Sequence, residues 1–319
     1  MNRPSVLIVS TKADTATDEV VKRLAARSID HYRLNTEDYP FSHAMTYSPT
    51  EPDAWLHCDG QPVPSPTSIW YRRVRTAPTP EGMEEGVAAF CRQEARAAII
   101  GSIVGQAARW MSHPAAVWQA EFKPYQLHLA AALGLRIPRT VITNSPERVR
   151  AAFRDFGSMI IKPARTGYVQ TSSGEYAIYT SRVLEQHLDE VDSARWSPAI
   201  YQELIPKAYD VRVTIVGTRC FAALIDSQSD PAAVTDWRQT NNPALPHQTV
   251  TLPECIVRKL HDLMGALRLT FGAVDLIQTS SGEYVFLEVN PSGQWLWLDD
   301  MLTFGISDTV AGWLASCDD

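Results

Sequence analysis

The segment FGAVDLIQTSSGEYVFLEVNPSG, Phe271 to Gly293, reads as two apolar strands joined by a Thr-Ser-Ser-Gly turn, with Gly282 at the position a side chain disfavours. Period-two alternation puts Asp275 on the first strand and sets Glu288 and Asn290 on one face of the second. Val274 and Leu276 flank Asp275, and Leu287 and Val289 flank Glu288, surroundings in which an unpaired charge is costly. Three converging oxygen-bearing side chains suit Mg²⁺, which takes one or two carboxylates and fills its other positions with phosphate oxygens and water. The plain alternative is a pair of strand-end acids facing solvent. The expectation is a Mg–nucleotide site.

Upstream of this segment, strands dominate: SMIIKPA, GEYAIYT, PAIYQELI, YDVRVTIVG and TRCFAALIDS follow one another, with a hairpin turn expected at residues 216 to 219. A helix at 253 to 268 separates them from the last strand pair. Lys162 ends the apolar run MII and precedes a Gly/Ser/Thr-containing loop, a place from which a lysine can hold phosphate; a solvent-facing lysine after a strand is the alternative. Lys123, before the helix KPYQLHLAAALGL, is a weaker signal of the same kind. In Gln202-Glu203-Leu204-Ile205 a strand runs into a connector, where the backbone can read an adenine edge and the Glu203 carboxylate can take a hydroxyl or amine. Asp210 and Arg212 share a strand face, by default a salt-bridged surface pair. Arginine is also suited to bidentate binding of carboxylate or phosphate. QTSSGEY occurs at 170 to 176 and again at 278 to 284, which suggests two similar hairpin turns rather than a repeat array.

The amino-terminal part has a different pattern. SVLIVS, a helix whose start at Thr15 to Asp18 has capping-box spacing, and IDHYRLN make a βαβ opening. Residues 36 to 80 are proline-rich with short edge strands, and residues 81 to 108 carry a helical pattern. WMSHP, at 110 to 114, marks the expected boundary, and the run from Gln294 to Ser316 reads as one closing helix. The division expected is residues 1–112, 113–200 and 201–319.

The 319 residues carry 29 Lys+Arg against 36 Asp+Glu, a net charge of −7 that excludes a general electrostatic grip on nucleic acid or an anionic membrane. Five cysteines, nowhere spaced C-x-x-C, spell neither a disulfide framework nor a zinc knuckle and fit a reducing cytoplasm. The first apolar run is too short for a signal peptide or a membrane span.

Lys123, Lys162 in IIKP, QELI at 202 to 205, DVR at 210 to 212, VDL at 274 to 276 and LEVNPSG at 287 to 293 stand in the order and approximate spacing of ATP-grasp ligases, which the chain resembles. With VLIVSTKAD, YRLNTEDYP, SIWYRR and WMSHPAAVWQAEFKPYQLHLAAALGLRIPRTVITNSP added, it resembles more narrowly the graspetide synthetases, the microviridin-type peptide maturases, over nearly its whole length. The resemblance implies an α/β fold, α+β in the ATP-binding part, with a βαβ pre-ATP-grasp domain ahead of an ATP-grasp fold. It assigns Lys123 and Lys162 to ATP phosphates, Gln202, Glu203, Leu204 and Ile205 to adenine, Asp275, Glu288 and Asn290 to Mg²⁺, and Asp210 and Arg212 to the reacting groups. The loop ARTGYV after Lys162 has fewer glycines than many in the family, and Pro124 after Lys123 is a second departure.

The activity implied is ATP-dependent macrocyclisation of a ribosomally made precursor peptide with leader and core segments. An acyl phosphate on an Asp or Glu side chain is attacked by a Ser or Thr hydroxyl or a Lys amine, and the leader binds away from the ATP cleft. Arg72, Arg73 and Arg75 after SIWY, and Arg238 in TDWRQTNN, are candidates for meeting an acidic core peptide; local pairing with acids is the alternative. Trp295 and Trp297 read as core packing. Two other readings stay open, a RimK-like carboxylate-amine ligase that adds a residue and a non-catalytic peptide-binding protein of the same fold, and so does a homodimer.

Overall fold

Val6, Leu7, Ile8 and Val9 are all buried, as expected of a strand with neighbours on both sides and cover on both faces. They belong to the first of two compact units in the computed structural model, which describes residues 5–51, 55–165, 167–171, 174–240 and 242–316. The first unit comprises Met1–Val117, Arg268–Phe271 and Ser292–Asp319; the second comprises Trp118–Leu267 and Gly272–Pro291.

In the first unit, β1 (Ser5–Ser10) pairs in parallel with β2 (Asp30–Asn35) through the helix Thr15–Ala26, giving the βαβ opening. Short strands β3 (Met45–Tyr47), β4 (Leu56–Cys58) and β5 (Gln61–Pro62) form a small antiparallel sheet. The main sheet is completed by β6 (Ser68–Tyr71) and β7 (Arg109–Met111) in the order β2-β1-β6-β7, all parallel. Leu7, Val9 and Ile69 pack with Trp55, Leu56 and, from the helix Glu85–Val104, Ile99 and Ile103.

Three local expectations change here. The helix at Thr15 has no capping box: its N-cap is Asp14, whose side chain makes no cap bond but accepts from Ser10 Oγ at 3.3 Å and pairs with Arg72. Trp110 and Met111, at the start of the expected boundary segment WMSHP, had no strand assigned to them and form the edge strand β7. The closing helix is two helices, Leu296–Leu302 and Ile306–Ala315, separated where Thr303 and Gly305 adopt φ of 54° and 70°. Trp295 is fully buried, 5.0 Å from the Phe271 ring and 6.0 Å from Trp70, so it is core.

The second unit holds two antiparallel sheets. One contains β8 (Thr140–Thr143), β9 (Met159–Pro163), β12 (Ser181–Val183) and β13 (Ala199–Glu203) in the order β12-β9-β13-β8, while β10 (Tyr168–Thr171) and β11 (Gly174–Ala177) make a separate hairpin. The tip of that hairpin, Ser172 and Ser173, and Thr166 in the loop after Lys162 lie outside the described residues, as does Cys317. A Cβ at Gly167 would collide with the Ile178 carbonyl oxygen, so the base of the hairpin closes on a residue without one. The helix Pro146–Phe156 starts as its sequence predicts: the Ser145 side chain accepts from Arg148 N–H at 3.3 Å, with Pro146 in the first turn. It ends at Gly157, φ 73°. A 3-10 run, Glu185–Trp196, is an element the sequence reading did not anticipate; its Val191 joins Val149, Ala152, Met159 and Tyr201 in the core.

The other sheet contains β14 (Tyr209–Val216), β15 (Arg219–Ile225), β16 (His247–Thr249), β17 (Phe271–Gln278) and β18 (Tyr284–Asn290) in the order β16-β15-β14-β17-β18. The β14–β15 hairpin turns at Gly217-Thr218, where the predicted turn lies; Gly217 has φ 57°. Among the described residues no helix is long and apolar enough to cross a membrane, and Cys58, Cys91, Cys220 and Cys255 are free thiols.

Candidate active site

Asp275 and Glu288 are direct cross-strand partners on β17 and β18, and the register shifts immediately after Asp275. Like charges opposed in this way destabilise a sheet unless something answers them. Lys123, at the start of the helix Lys123–Ala132, brings Nζ to 3.0 Å from Glu288 Oε2. Arg212 on β14 donates through Nη1 to both Asp275 oxygens, at 2.8 and 3.0 Å. Lys162, on β9 and 6% exposed, has Nζ 3.5 Å from the Leu287 carbonyl oxygen.

The charges in this group depend on one another. Burial pushes the Glu288 carboxyl upward, but Lys123, Lys162 and Arg238 outweigh it and hold the group at about 2. Burial draws the Lys162 ammonium down to about 8, with Glu288 resisting the fall. Asn290 stands at the exposed end of β18, two residues beyond Glu288. Among the described residues no three or more His, Cys, Asp or Glu side chains form a metal cage. Two carboxylates and an amide oxygen nevertheless match the protein share of a Mg²⁺ shell completed by phosphate and water.

Asp210 and Arg212 do not form the surface pair that is the default for their spacing: both are buried, and each has another partner. Lys207 Nζ donates to the Asp210 oxygens at 2.9 and 2.7 Å, and to the Thr235 carbonyl at 3.3 Å. Burial raises the Asp210 carboxyl, and Lys207 opposes the rise.

In the connector after β13, most polar groups already have partners within the protein. The Glu203 carboxylate accepts from Arg139 N–H at 2.9 Å and Arg139 Nε at 2.6 Å, so it is already engaged. Gln202 Nε2 donates to Thr140 Oγ1 at 2.9 Å, and Leu204 N–H to the Ser158 carbonyl at 2.8 Å. Ile205 N–H has no acceptor among the described residues. A cleft of about 330 Å³ runs from this connector to the charged group, with Ile160, Leu204, Ile205 and Leu287 as apolar lining and Lys162 and Glu288 among its polar lining. A second groove of about 750 Å³ in the same unit includes Val149, Ile161, Val183, Val191, Tyr201 and Glu190 in its lining.

Arg238, in the turn Trp237–Gln239, lines the cleft. In the first unit, Arg73 is half-buried with Nε 3.4 Å from the Ser292 carbonyl oxygen, and Arg75 is exposed. Arg72 is a correction: 2% exposed, it places Nε 3.2 Å from Asp14 Oδ2, donates to the Gly293 carbonyl and Gln294 Oε1 at 2.9 and 3.0 Å, and lies 4.4 Å from the Trp295 ring centroid. An arginine sealed this way holds the interior together and offers no surface to a peptide. Sequence reasoning missed Arg139, Lys207 and Asp236. The Lys207/Asp210 spacing and the Asp-x-Arg at 236 to 238 were local signals available for the last two.

Comparison with known proteins identifies the family. Residues 5–117 match the MvdD pre-ATP grasp domain. The structure is similar to the macrocyclase MdnC of Microcystis aeruginosa MRC, solved with its precursor peptide MdnA: 31% identity, 97% of this chain and 98% of that one covered, TM-score 0.87. It is similar to a RiPP-associated ATP-grasp ligase of Chryseobacterium gregarium, solved with ADP and a leader and core peptide, at 26% identity, 99% and 98% coverage and TM-score 0.89. The macrocyclase MdnB of Microcystis aeruginosa MRC matches at 29% identity, 98% and 99% coverage and TM-score 0.80. No curated protein matches by sequence. A pre-ATP-grasp domain, whole-length likeness to MdnC and a cleft with this charge pattern lead to one assignment: the chain belongs to the graspetide-type ATP-grasp ligases and is an ATP-dependent ligase.

Proposed function

We propose that this ligase closes rings in a ribosomally made precursor peptide, using ATP and Mg²⁺ to join an Asp or Glu side chain to a Ser or Thr hydroxyl or a Lys amine of the same peptide. The observation that carries the reading is the opposed Asp275/Glu288 pair, answered by Lys123 and Arg212, at one end of a cleft whose other end offers Ile205 N–H. The cleft, lined by apolar side chains at the connector and charged ones at the sheet, suits adenine at 202 to 205 and phosphates beside Lys123 and Lys162. Asp275, Glu288 and Asn290 would hold Mg²⁺, which when bound supplies charge neutralisation of the phosphates.

A carboxylate is a poor acyl donor. The γ-phosphoryl group therefore passes from ATP to a carboxylate oxygen of the peptide, leaving ADP and an acyl phosphate. The hydroxyl or amine attacks the acyl carbon, phosphate departs with the C–O bond electrons, and the nucleophile's proton goes to a base, the role we assign to Asp210. Arg212 offsets charge on the transferred group. The largest contribution of the enzyme is orientation, because both reacting side chains belong to one substrate and need only be held at near-attack distance with water excluded.

We place leader docking away from the cleft, and the exposed apolar rim of the 750 Å³ groove, Val169 and Ile178, is a surface in the same unit for it. A second contact raises the effective concentration of the core at the cleft. The test is ADP release with Mg²⁺ and the cognate precursor: it rises with the peptide, stops on chelation of divalent ions, and shows a KM roughly a hundredfold higher for a peptide without its leader. An unchanged KM for the leaderless peptide would remove the separate docking surface.

A further inference from the structure

Asp236 is 5% exposed and makes more bonds than a surface ion pair requires. Its Oδ1 accepts from Arg238 Nε at 2.8 Å and Arg238 N–H at 3.1 Å, and its Oδ2 from Arg238 Nη2 at 2.7 Å and Thr180 N–H at 3.2 Å. Gln239 Nε2 donates to the Thr180 carbonyl at 3.0 Å, so one turn holds both backbone groups of that residue. Thr180 lies between the end of β11 and the start of β12, and Ile178 N–H bonds to the Gly167 carbonyl to close the hairpin base beside it. The neighbouring Thr235 carbonyl accepts from Lys207, the partner of Asp210. The turn therefore ties the base of the β10–β11 hairpin to the lead-in of β14.

The bidentate grip also determines what Arg238 has left to offer. Nε and Nη2 are committed, Nη1 has no acceptor among the described residues, and the side chain is 45% exposed. Lys123, Lys207 and Arg212 are each already paired with a carboxylate, and Lys162, the remaining lysine of the cleft lining, is placed beside the phosphates in the reading above. A peptide carboxylate entering a cleft that already contains Asp275 and Glu288 needs a fixed donor to offset their repulsion, and a guanidinium held along one edge presents the remaining nitrogen without further loss of rotamer freedom.

We infer that Asp236 is a positioning residue, holding Arg238 so that its free Nη1 receives the peptide carboxylate to be activated while fixing that donor to the base of the β10–β11 hairpin. This rests on the peptide-ligase reading above. Asp236 touches no reacting atom. An asparagine in its place keeps one acceptor oxygen but lacks the second, so it cannot serve Nη2 and Thr180 N–H as well as Nε.

The experiment is a double-mutant cycle on the full chain with D236N, R238A and the double variant, reading peptide KM from ADP release, peptide Kd from fluorescence anisotropy, and ADP–Mg²⁺ Kd by calorimetry without peptide. D236N is expected to raise peptide KM and Kd about tenfold and to leave the nucleotide Kd within about twofold. The double variant should be no worse than R238A, and D236E, which keeps the charge, should recover part of the loss. Additive effects of D236N and R238A, or a nucleotide Kd shifted as far as the peptide constants, would overturn the inference. If the wild type binds peptide but releases no ADP, the ligase reading fails, and the anisotropy cycle still decides the role of Asp236.

Discussion

Glu288→Gln reduces peptide-dependent ATP turnover to below about a thousandth of wild type while the protein stays folded. Glu288 is the carboxylate on which the charges of the site converge, with Lys123 Nζ at 3.0 Å and Lys162 and Arg238 acting on it through space. Burial alone would favour its neutral form; the three cations hold its carboxyl well below the usual carboxylate range. Glutamine preserves size and one oxygen but removes the charge. It leaves Lys123 without its anionic partner, and at the proposed metal site it takes away half of the carboxylate charge. Circular dichroism of the variant separates loss of the site from loss of the fold. Turnover within tenfold of wild type in a folded variant would take Glu288 out of the metal site.

Arg212→Lys cuts the rate of single-turnover cyclisation by a factor on the order of 10² and leaves ATP affinity nearly unchanged. Arg212 is 7% exposed, fixed by β14, and its Nη1 reaches both oxygens of Asp275. Lysine keeps the charge but loses the planar guanidinium whose Nη1 reaches both Asp275 oxygens and whose delocalised charge the proposed mechanism sets against the transferred phosphoryl group. As charge shifts in that transfer, a preorganised guanidinium gains more in the transition state than in the ground state. In the proposed arrangement the nucleotide contacts of Lys123, Lys162 and the connector at 202 to 205 are untouched by this substitution. The check is ATP binding and single-turnover rate measured side by side. A loss confined to ATP affinity would move Arg212 into the nucleotide grip.

Much of this site was legible because it is local. The alternation of Asp275, Glu288 and Asn290 within two apolar strands is enough to predict a hairpin carrying oxygen-bearing side chains, and β17 and β18 form that hairpin with Asp275 opposite Glu288. Lys162 had a local signal, its place at a strand end before a Gly/Ser/Thr-containing loop, and Lys123 only a weak one; resemblance to a family singled out both. Lys123 meets Glu288 across 165 positions of sequence, and no local pattern encodes such a contact. Arg72 was misread because an arginine after a strand ordinarily reaches solvent; its burial follows from Asp14, Gly293 and Gln294, residues scattered along the chain. Asp14 for its part was not read as a cap, and its side chain is spent on that arginine rather than on the helix. The closing segment read as one helix because its apolar spacing runs through the break, although Gly305 offered a signal for it. Glu185–Trp196 was missed for the opposite reason: it is acidic and weakly patterned, with Val191 its one buried residue.

The most direct test of ring closure is the mass of the product. Incubation of the full chain with its precursor peptide, ATP and Mg²⁺, followed by mass spectrometry of the peptide, should show the loss of one water for each bond formed, with one ADP and one phosphate released per bond. Fragmentation should then fail to cleave between the joined side chains. A product heavier by an amino-acid residue, or a peptide of unchanged mass despite ADP release, would contradict the account.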